Sequence, residues 1–424
     1  MRVLIVNTSD KAGGAAVAAY RLMEALNNHG VKAKMLVRDK TTDSLTVVGL
    51  PKSLLLRWHF LWERLVVFCH LHFSRVHLFE IDIANAGSDI TRLPEFKEAD
   101  VIHLHWINQG MLSLKVIHKI LRSGKPVVWT MHDIWPATAI CHLTLECKNY
   151  KTACCNCRLL PGHGGNNDLA AKTWRRKQQM LDGGNILFVA CSKWLAGEAK
   201  ASALLQGQKI TNIPNPIDTR VFHAKDKAET RRTLGLPEGQ KLILFASQRV
   251  TNRNKGMDYL VEACRLLAEE YPELRQKLGV AVLGGHADEV TEQLPFTSYP
   301  LGYVSDTSAI VDIYNAVDVF VLPSLSENLP NTIMEAMACG VPCVGFNVGG
   351  IPEEIDHKKN GYVANYCDAK DLARGLYWVL CEADYDILST SAQRKVVQNY
   401  SLSAVAMRYT EVYNQALALK HYKL

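Results

Sequence analysis

Residues 2–7 (Arg-Val-Leu-Ile-Val-Asn) form a short apolar run closed by polar residues, the pattern of a parallel strand covered on both faces. A polar, glycine-containing stretch over 8–13 comes next. Apolar positions then recur at helical spacing from about Gly14 to His29, and Gly30 stands where a helix C-cap would. Residues 32–37 read as the next strand, which completes a βαβ unit. Val101–His105, Pro126–Thr130 and Ile186–Ala190 continue the series as strands. Lys241–Ala246, Gly279–Leu283, Val317–Leu322, Pro342–Phe346 and Gly361–Val363 repeat it in the second half. Strands alternating with helical stretches predict a doubly wound parallel sheet in each half. Ile213-Pro214-Asn215-Pro216 is a stiff extended connector between the halves. The expected division is a Rossmann-like domain over 1–214, a second over 215–398, and a C-terminal helix over 399–424 that packs back on the first. The fold class is therefore α/β, two doubly wound domains facing one crevice.

Residues 53–79, SLLLRWHFLWERLVVFCHLHFSRVHLF, stand apart. They are rich in Leu, Trp and Phe, carry Arg and His, and hold a single acidic residue, Glu63. Two readings stay open: a helix pair packed into the core, or a surface that dips among lipid headgroups.

Composition changes this picture little. A length of 424 residues suits two or three domains, and a net charge of +6 is too weak to argue for nucleic acid, though it suits anionic partners. The apolar run at the N-terminus is too short for a signal peptide, and no charge-free stretch of about 20 apolar residues is present. Twelve cysteines without an export signal favour thiols or metal ligands over disulfides, so the cytoplasm is the expected compartment.

The densest chemistry lies in Pro323-Ser-Leu-Ser-Glu-Asn-Leu-Pro-Asn-Thr-Ile-Met-Glu-Ala-Met-Ala-Cys-Gly-Val-Pro, which succeeds a strand and opens a helix. Glu327 falls in the loop and Glu335 eight positions on, inside the helix. One carboxylate could reach sugar hydroxyls and the other a ribose, while helix-start amides cradle a diphosphate. Taken singly, each has a plain alternative: Glu327 as a charge complementing a helix dipole, Glu335 as part of a solvated face. The string as a whole resembles the signature of family 4 retaining glycosyltransferases, of the GT-B fold. Glu327 and Glu335 match that family's paired glutamates. Cys339-Gly340-Val341-Pro342 and Gly349-Gly350-Ile351-Pro352-Glu353 match the family's pattern on the C-terminal side of that pair. The likeness is densest over 241–365.

The resemblance carries roles with it. Arg249 and Lys255, in Ser247-Gln-Arg-Val-Thr-Asn-Arg-Asn-Lys-Gly256, match the basic pair that binds the donor diphosphate, with Arg253 a rival for the second place. Fixed cations there stabilise the charge that grows on a departing nucleoside diphosphate. Asn328, Leu329, Pro330, Asn331 and Thr332 fall in the donor-binding helix start, and Tyr303 and Val304 lie where relatives meet the nucleobase. Gly13 and Gly14 sit in the loop that covers the donor phosphates. His132, in Trp129-Thr-Met-His-Asp-Ile-Trp-Pro136, matches a histidine near the reacting sugar. Asp133 and His105 are acceptor-side candidates; Asp133 could instead orient the imidazole, and a core role for His103 and His105 weighs equally. The triplet Asp384-Tyr385-Asp386 sits in a helical stretch and reads as surface acidity, so no obligatory catalytic metal is expected.

In the loop over 141–157, Cys141, Cys147, Cys154 and Cys157 could complete a four-thiolate structural zinc site, with His142 a substitute ligand. Free thiols or disulfides are the alternative. The resemblance implies a hexosyl-type glycosyltransferase that draws on a UDP- or GDP-sugar. Its acceptor would be a glycan, lipid-linked, in surface-polysaccharide assembly, with contact to the inner face of the cytoplasmic membrane. A sugar-nucleotide 2-epimerase of the same fold, or a non-catalytic sugar-nucleotide binder, are the competing readings.

Overall fold

The computed structural model describes residues 1–51 and 53–421; the last three residues of the expected C-terminal helix lie outside these. The chain divides into two compact units, Met1–Pro216 with the chain from Val405 on, and Ile217–Ala404.

In the first unit, β1 (Arg2–Ser9), β2 (Lys32–Asp39), β3 (Val47–Gly49), β4 (Val101–Leu104), β5 (Val127–Met131), β6 (Ile186–Ala190) and β7 (Lys209–Asn212) form one sheet. Its order is β3-β2-β1-β4-β5-β6-β7, and every pairing is parallel. From Val3 to Ser9 every residue of β1 is buried, because helices cover both faces of the sheet. α1 (Gly14–Asn28) buries Ala16, Ala18, Ala19, Leu22, Met23, Ala25 and Leu26, and the His29 amide closes it on the Leu26 carbonyl. The helix Leu402–His421 belongs to this unit from Val405 on. Tyr409 and Tyr413 plant their hydroxyls 2.8 Å from Thr130 Oγ1 and 2.8 Å from His103 Nδ1.

The second unit holds β8 (Lys241–Arg249), β9 (Leu278–Gly285), β10 (Thr297–Gly302), β11 (Val319–Leu322), β12 (Cys343–Phe346) and β13 (Gly361–Ala364). The order is β10-β9-β8-β11-β12-β13, again all parallel. In both sheets the strand order reverses beside the first strand, between β1 and β4 and between β8 and β11. The crevice beyond the strand C-termini at such a reversal is where open α/β sheets hold ligands.

Three strands, β3, β7 and β10, escape the sequence pattern. All lie at sheet edges, where one side is not covered and the apolar run is not required. β7 is exposed or half-exposed throughout, and β10 contains Pro300, which edge strands tolerate.

The segment over 53–79 departs from its core-packing reading. α2 (Leu54–His70) is one helix, capped by the Ser53 hydroxyl accepting from the Leu55 amide at 2.9 Å, and it has no paired second helix. It buries only Glu63, Arg64 and Val67, and leaves Leu54, Trp58, Leu61, Trp62 and Leu65 exposed. The usual pattern is inverted: the charged residues face in. Arg64 pairs with Asp82, and Glu63 Oε1 accepts from the Ile83 and Ala84 amides at 2.8 and 2.6 Å.

Candidate active site

In the second unit the loops leaving β8 and β11 are stitched together. The Leu325 amide donates to the Asn254 carbonyl at 2.8 Å, and Asn254 Nδ2 donates to the Ser326 carbonyl at 3.0 Å. Two glycines permit the close approach. Gly256 (φ +74°) packs on the Pro323 carbonyl and Gly349 (φ +58°) on the Glu327 carbonyl, and a Cβ at either would collide with backbone. The result brings Lys255 onto Glu327: its ammonium pairs with Oε1, to which the Ser324 hydroxyl also donates at 3.1 Å. It is Lys255, not Arg253, that meets this carboxylate; Arg253 is exposed. Arg249 ends β8, exposed, with Nε donating to Thr251 Oγ1 at 3.0 Å.

The helix Asn331–Ala338 starts after Pro330 with no side-chain cap. Leu329 and Pro330 are buried, while Asn328, Asn331 and Thr332 are half-buried at its mouth. Glu335 Oε2 accepts from the buried Tyr314 hydroxyl at 3.2 Å. Tyr303 and Val304 come after the edge strand β10, which β9 separates from β8; Tyr303 is 62% exposed. Asp384 is a helix cap, accepting from the Asp386 and Ile387 amides at 3.1 and 3.2 Å.

One residue behind this loop cluster had no signal in the sequence. The Glu354 carboxyl is fully buried, and neither oxygen has a hydrogen-bond partner. Burial first, and the nearby charge of Glu327 second, push its pKa well above the ordinary range. Folding therefore favours the protonated form of this acid, while the unfolded chain ionises it above pH about 4.3. Holding that proton costs the fold about 1.4 kcal/mol per pH unit above the unfolded value, until the folded pKa is reached. Glu354→Gln escapes the cost. Its melting temperature should match the native protein near pH 5 and exceed it increasingly toward pH 8. A difference that stays flat with pH would contradict a neutral carboxyl.

In the first unit a cavity of about 400 Å³ opens at the C-terminal ends of β1, β2, β4 and β5. Gly13, Gly14, Trp106, His132 and Asp133 line it, as do Arg38 and Asp39 at the end of β2, which sequence reasoning missed. A charged pair ending an apolar strand was the available signal.

Behind His132 runs a chain of imidazoles. His105 Nδ1 lies 2.9 Å from His132 Nε2, and His105 Nε2 lies 3.4 Å from His103 Nδ1. His103 Nε2 lies 2.7 Å from Thr130 Oγ1. Burial holds all three neutral: His132 falls to about 4 and His103 to about 3, while burial and the two neighbouring histidines take His105 well below the ordinary value. His105, weighed in the sequence both as an acceptor-side residue and as a core one, is buried with both ring nitrogens turned to other histidines.

Asp133 gathers donors from three neighbours, and its charge also acts on His132. Its Oδ2 accepts from Trp106 Nε1 at 3.0 Å and from His142 Nδ1 at 2.8 Å, and its Oδ1 from the Trp135 amide at 2.8 Å. His142 Nε2 donates to Asp82 Oδ2 at 2.7 Å. Burial alone would discharge His142, but Asp133 and Asp82 outweigh it and raise its pKa to about 10. The four cysteines singled out in the sequence lie near one another: Cys147 acts on the Cys141 thiol, and both act on those of Cys154 and Cys157. Among the described residues no three histidine, cysteine or acidic side chains are gathered for a metal, and the cysteines are free thiols. Lys177 is buried beside this loop, 3.3 Å over the Trp135 ring, and donates to the Thr138 carbonyl at 2.9 Å.

Comparisons with known proteins agree with this architecture. Residues 12–221 match the model of Glycosyltransferase Family 4, and residues 226–395 that of Glycosyl transferases group 1. A D-inositol 3-phosphate glycosyltransferase of Thermobispora bispora is 26% identical over 432 residues, covering 97% of this chain and 91% of that protein. One of the same name from Thermobifida fusca is 30% identical over 189 residues, covering 41% and 42%. Among solved structures, a sucrose-phosphate synthase from Thermosynechococcus elongatus superposes with TM-score 0.66 at 18% identity, covering 99% of this chain and 100% of that one. Anabaena Alr3699/HepE in complex with UDP and glucose superposes with TM-score 0.62 at 17% identity, covering 98% and 100%. At these identities the superpositions speak for the fold. With the two family models spanning most of its length and the same architecture in both units, the chain belongs to the family 4 glycosyltransferases of the GT-B fold.

Proposed function

We propose that this glycosyltransferase moves a hexosyl group from a UDP- or GDP-sugar to a lipid-linked glycan, with retention of anomeric configuration, in the assembly of a surface polysaccharide. The observation that carries the donor side is the Lys255–Glu327 pair beside the uncapped helix start at Pro330. A donor diphosphate offers Lys255 and Arg249 a new anion, and so frees Glu327 from Lys255 to accept from sugar hydroxyls. Glu335 is assigned to the ribose. The neutral imidazole of His132, lining the N-terminal cavity, offers a hydrogen bond to a sugar hydroxyl without adding a charge. The cations meet the charge that grows on the leaving phosphate, and that phosphate takes up the acceptor's proton in a front-face substitution. HepE, solved with UDP-glucose, supports a UDP-sugar as the first donor to try. The relatives named for D-inositol 3-phosphate support a second reading, a phosphorylated polyol acceptor.

A thermal-shift panel of UDP- and GDP-sugars tests the donor. One of them should raise the melting temperature by several degrees, and the product with an acceptor should keep the donor's anomeric configuration by proton NMR. An inverted product would end the retaining assignment. Epimerised donor in the absence of acceptor would favour the 2-epimerase.

A further inference from the structure

The exposed face of α2 is continuous with the N-terminal cavity. That cavity shares Arg38 and Asp39 with a second one of about 230 Å³ between β2 and α2. The second shares Leu61 with a groove of about 400 Å³ lined by Trp58, Trp62, Leu65 and Phe68. Arg38 marks the first junction, fixed by the Gln109 carbonyl and Asp39 with its guanidinium 5.6 Å from the Phe60 ring centroid. Arg57 is exposed at the second cavity and Arg75 at the groove. The helix's own acid, Glu63, is turned inward.

We propose that this path holds the acceptor's lipid: the hydrocarbon chain of a lipid phosphate lies in the α2 groove, and its phosphate sits by Arg57 at the mouth of the cavity. This rests on the reading that the acceptor is lipid-linked. Exposed Trp58, Leu61 and Trp62 are costly against water and gain when an apolar chain covers them. A basic rim with no outward-facing acid on the helix suits an anionic headgroup. The inverted burial of α2 has the same logic: Glu63 and Arg64 anchor the helix to Ile83, Ala84 and Asp82, which keeps its apolar face outward.

Titration with geranyl phosphate, farnesyl phosphate and inorganic phosphate, read by tryptophan fluorescence below micellar concentrations, tests this. Each fully buried methylene strengthens binding by about fourfold, so even partial burial makes farnesyl phosphate bind about tenfold or more tighter than geranyl phosphate. The double variant W58E/L61E should lose that chain-length dependence. It should keep the native melting temperature and the native thermal shift with UDP, because both side chains are exposed. Arg57→Ala should weaken both lipids alike and preserve their ratio. Equal affinity for the two chain lengths, or a W58E/L61E variant that binds farnesyl phosphate as tightly as native protein, would overturn the groove. Loss of the UDP-sugar shift with farnesyl phosphate binding intact would strike the donor reading and leave the groove standing.

Discussion

Lys255→Ala is expected to lower kcat by about 10²–10³-fold, the usual consequence of removing a fixed donor from a site of developing negative charge. The side chain already stands at the junction of two stitched loops, paired with Glu327 and half-buried. It cannot drift to water when the donor enters, because Gly256 holds its loop against the Pro323 carbonyl. The leaving phosphate gains charge only as the glycosidic bond breaks, so the loss should fall on kcat more than on KM. A second consequence separates this role from mere packing. Lys255→Arg keeps the charge but replaces a point charge by a planar fork, and it should recover part of the rate. Steady-state kinetics at saturating acceptor read both effects. A Lys255→Ala enzyme whose kcat is native and whose KM alone has risen would show that the ammonium binds the donor without assisting departure.

How much of this was legible in the chain depends on whether the interaction is local. Central strands such as β1 and β8 are buried on both faces and announce themselves as unbroken apolar runs; the edge strands β3, β7 and β10 have no such demand on them and were not seen. The loops carrying Lys255 and Glu327 were visible as strand-to-helix turns because their polar residues interrupt strong apolar patterns. The hydrogen bonds that join those two loops link residues 72 apart and were not visible. In α2 the apolar content was plain, but content does not say which side faces water. That was decided by Asp82 and the amides of Ile83 and Ala84, which claim Arg64 and Glu63 for the interior. Cysteine spacing likewise gave candidates without geometry, and the contacts of His142 with Asp133 and Asp82, 9 and 60 residues away, were not visible.

Those contacts make His142 a position where a single substitution should cost the fold heavily. His142→Ala removes the cation between Asp82 and Asp133, the first 1% exposed at its side chain and the second 20%. Arg64 still faces Asp82, and Trp106 and the Trp135 amide still face Asp133, yet a buried pair broken from one side typically costs about 3–5 kcal/mol. For a unit of this size that is a fall of roughly 6–20 °C in melting temperature. The pH dependence identifies the cause. The folded pKa of His142 is raised to about 10 from an ordinary value near 6.5, so its stabilisation is fully present below pH 6.5 and is lost as pH rises through 10. The gap between native and variant melting temperatures should therefore be widest near pH 6 and close progressively toward pH 10. A gap that stays constant from pH 6 to pH 10 would mean that the imidazole acts by its volume between Trp106 and Trp135, whose rings lie 5.8 and 6.3 Å from it, and that its charge contributes nothing.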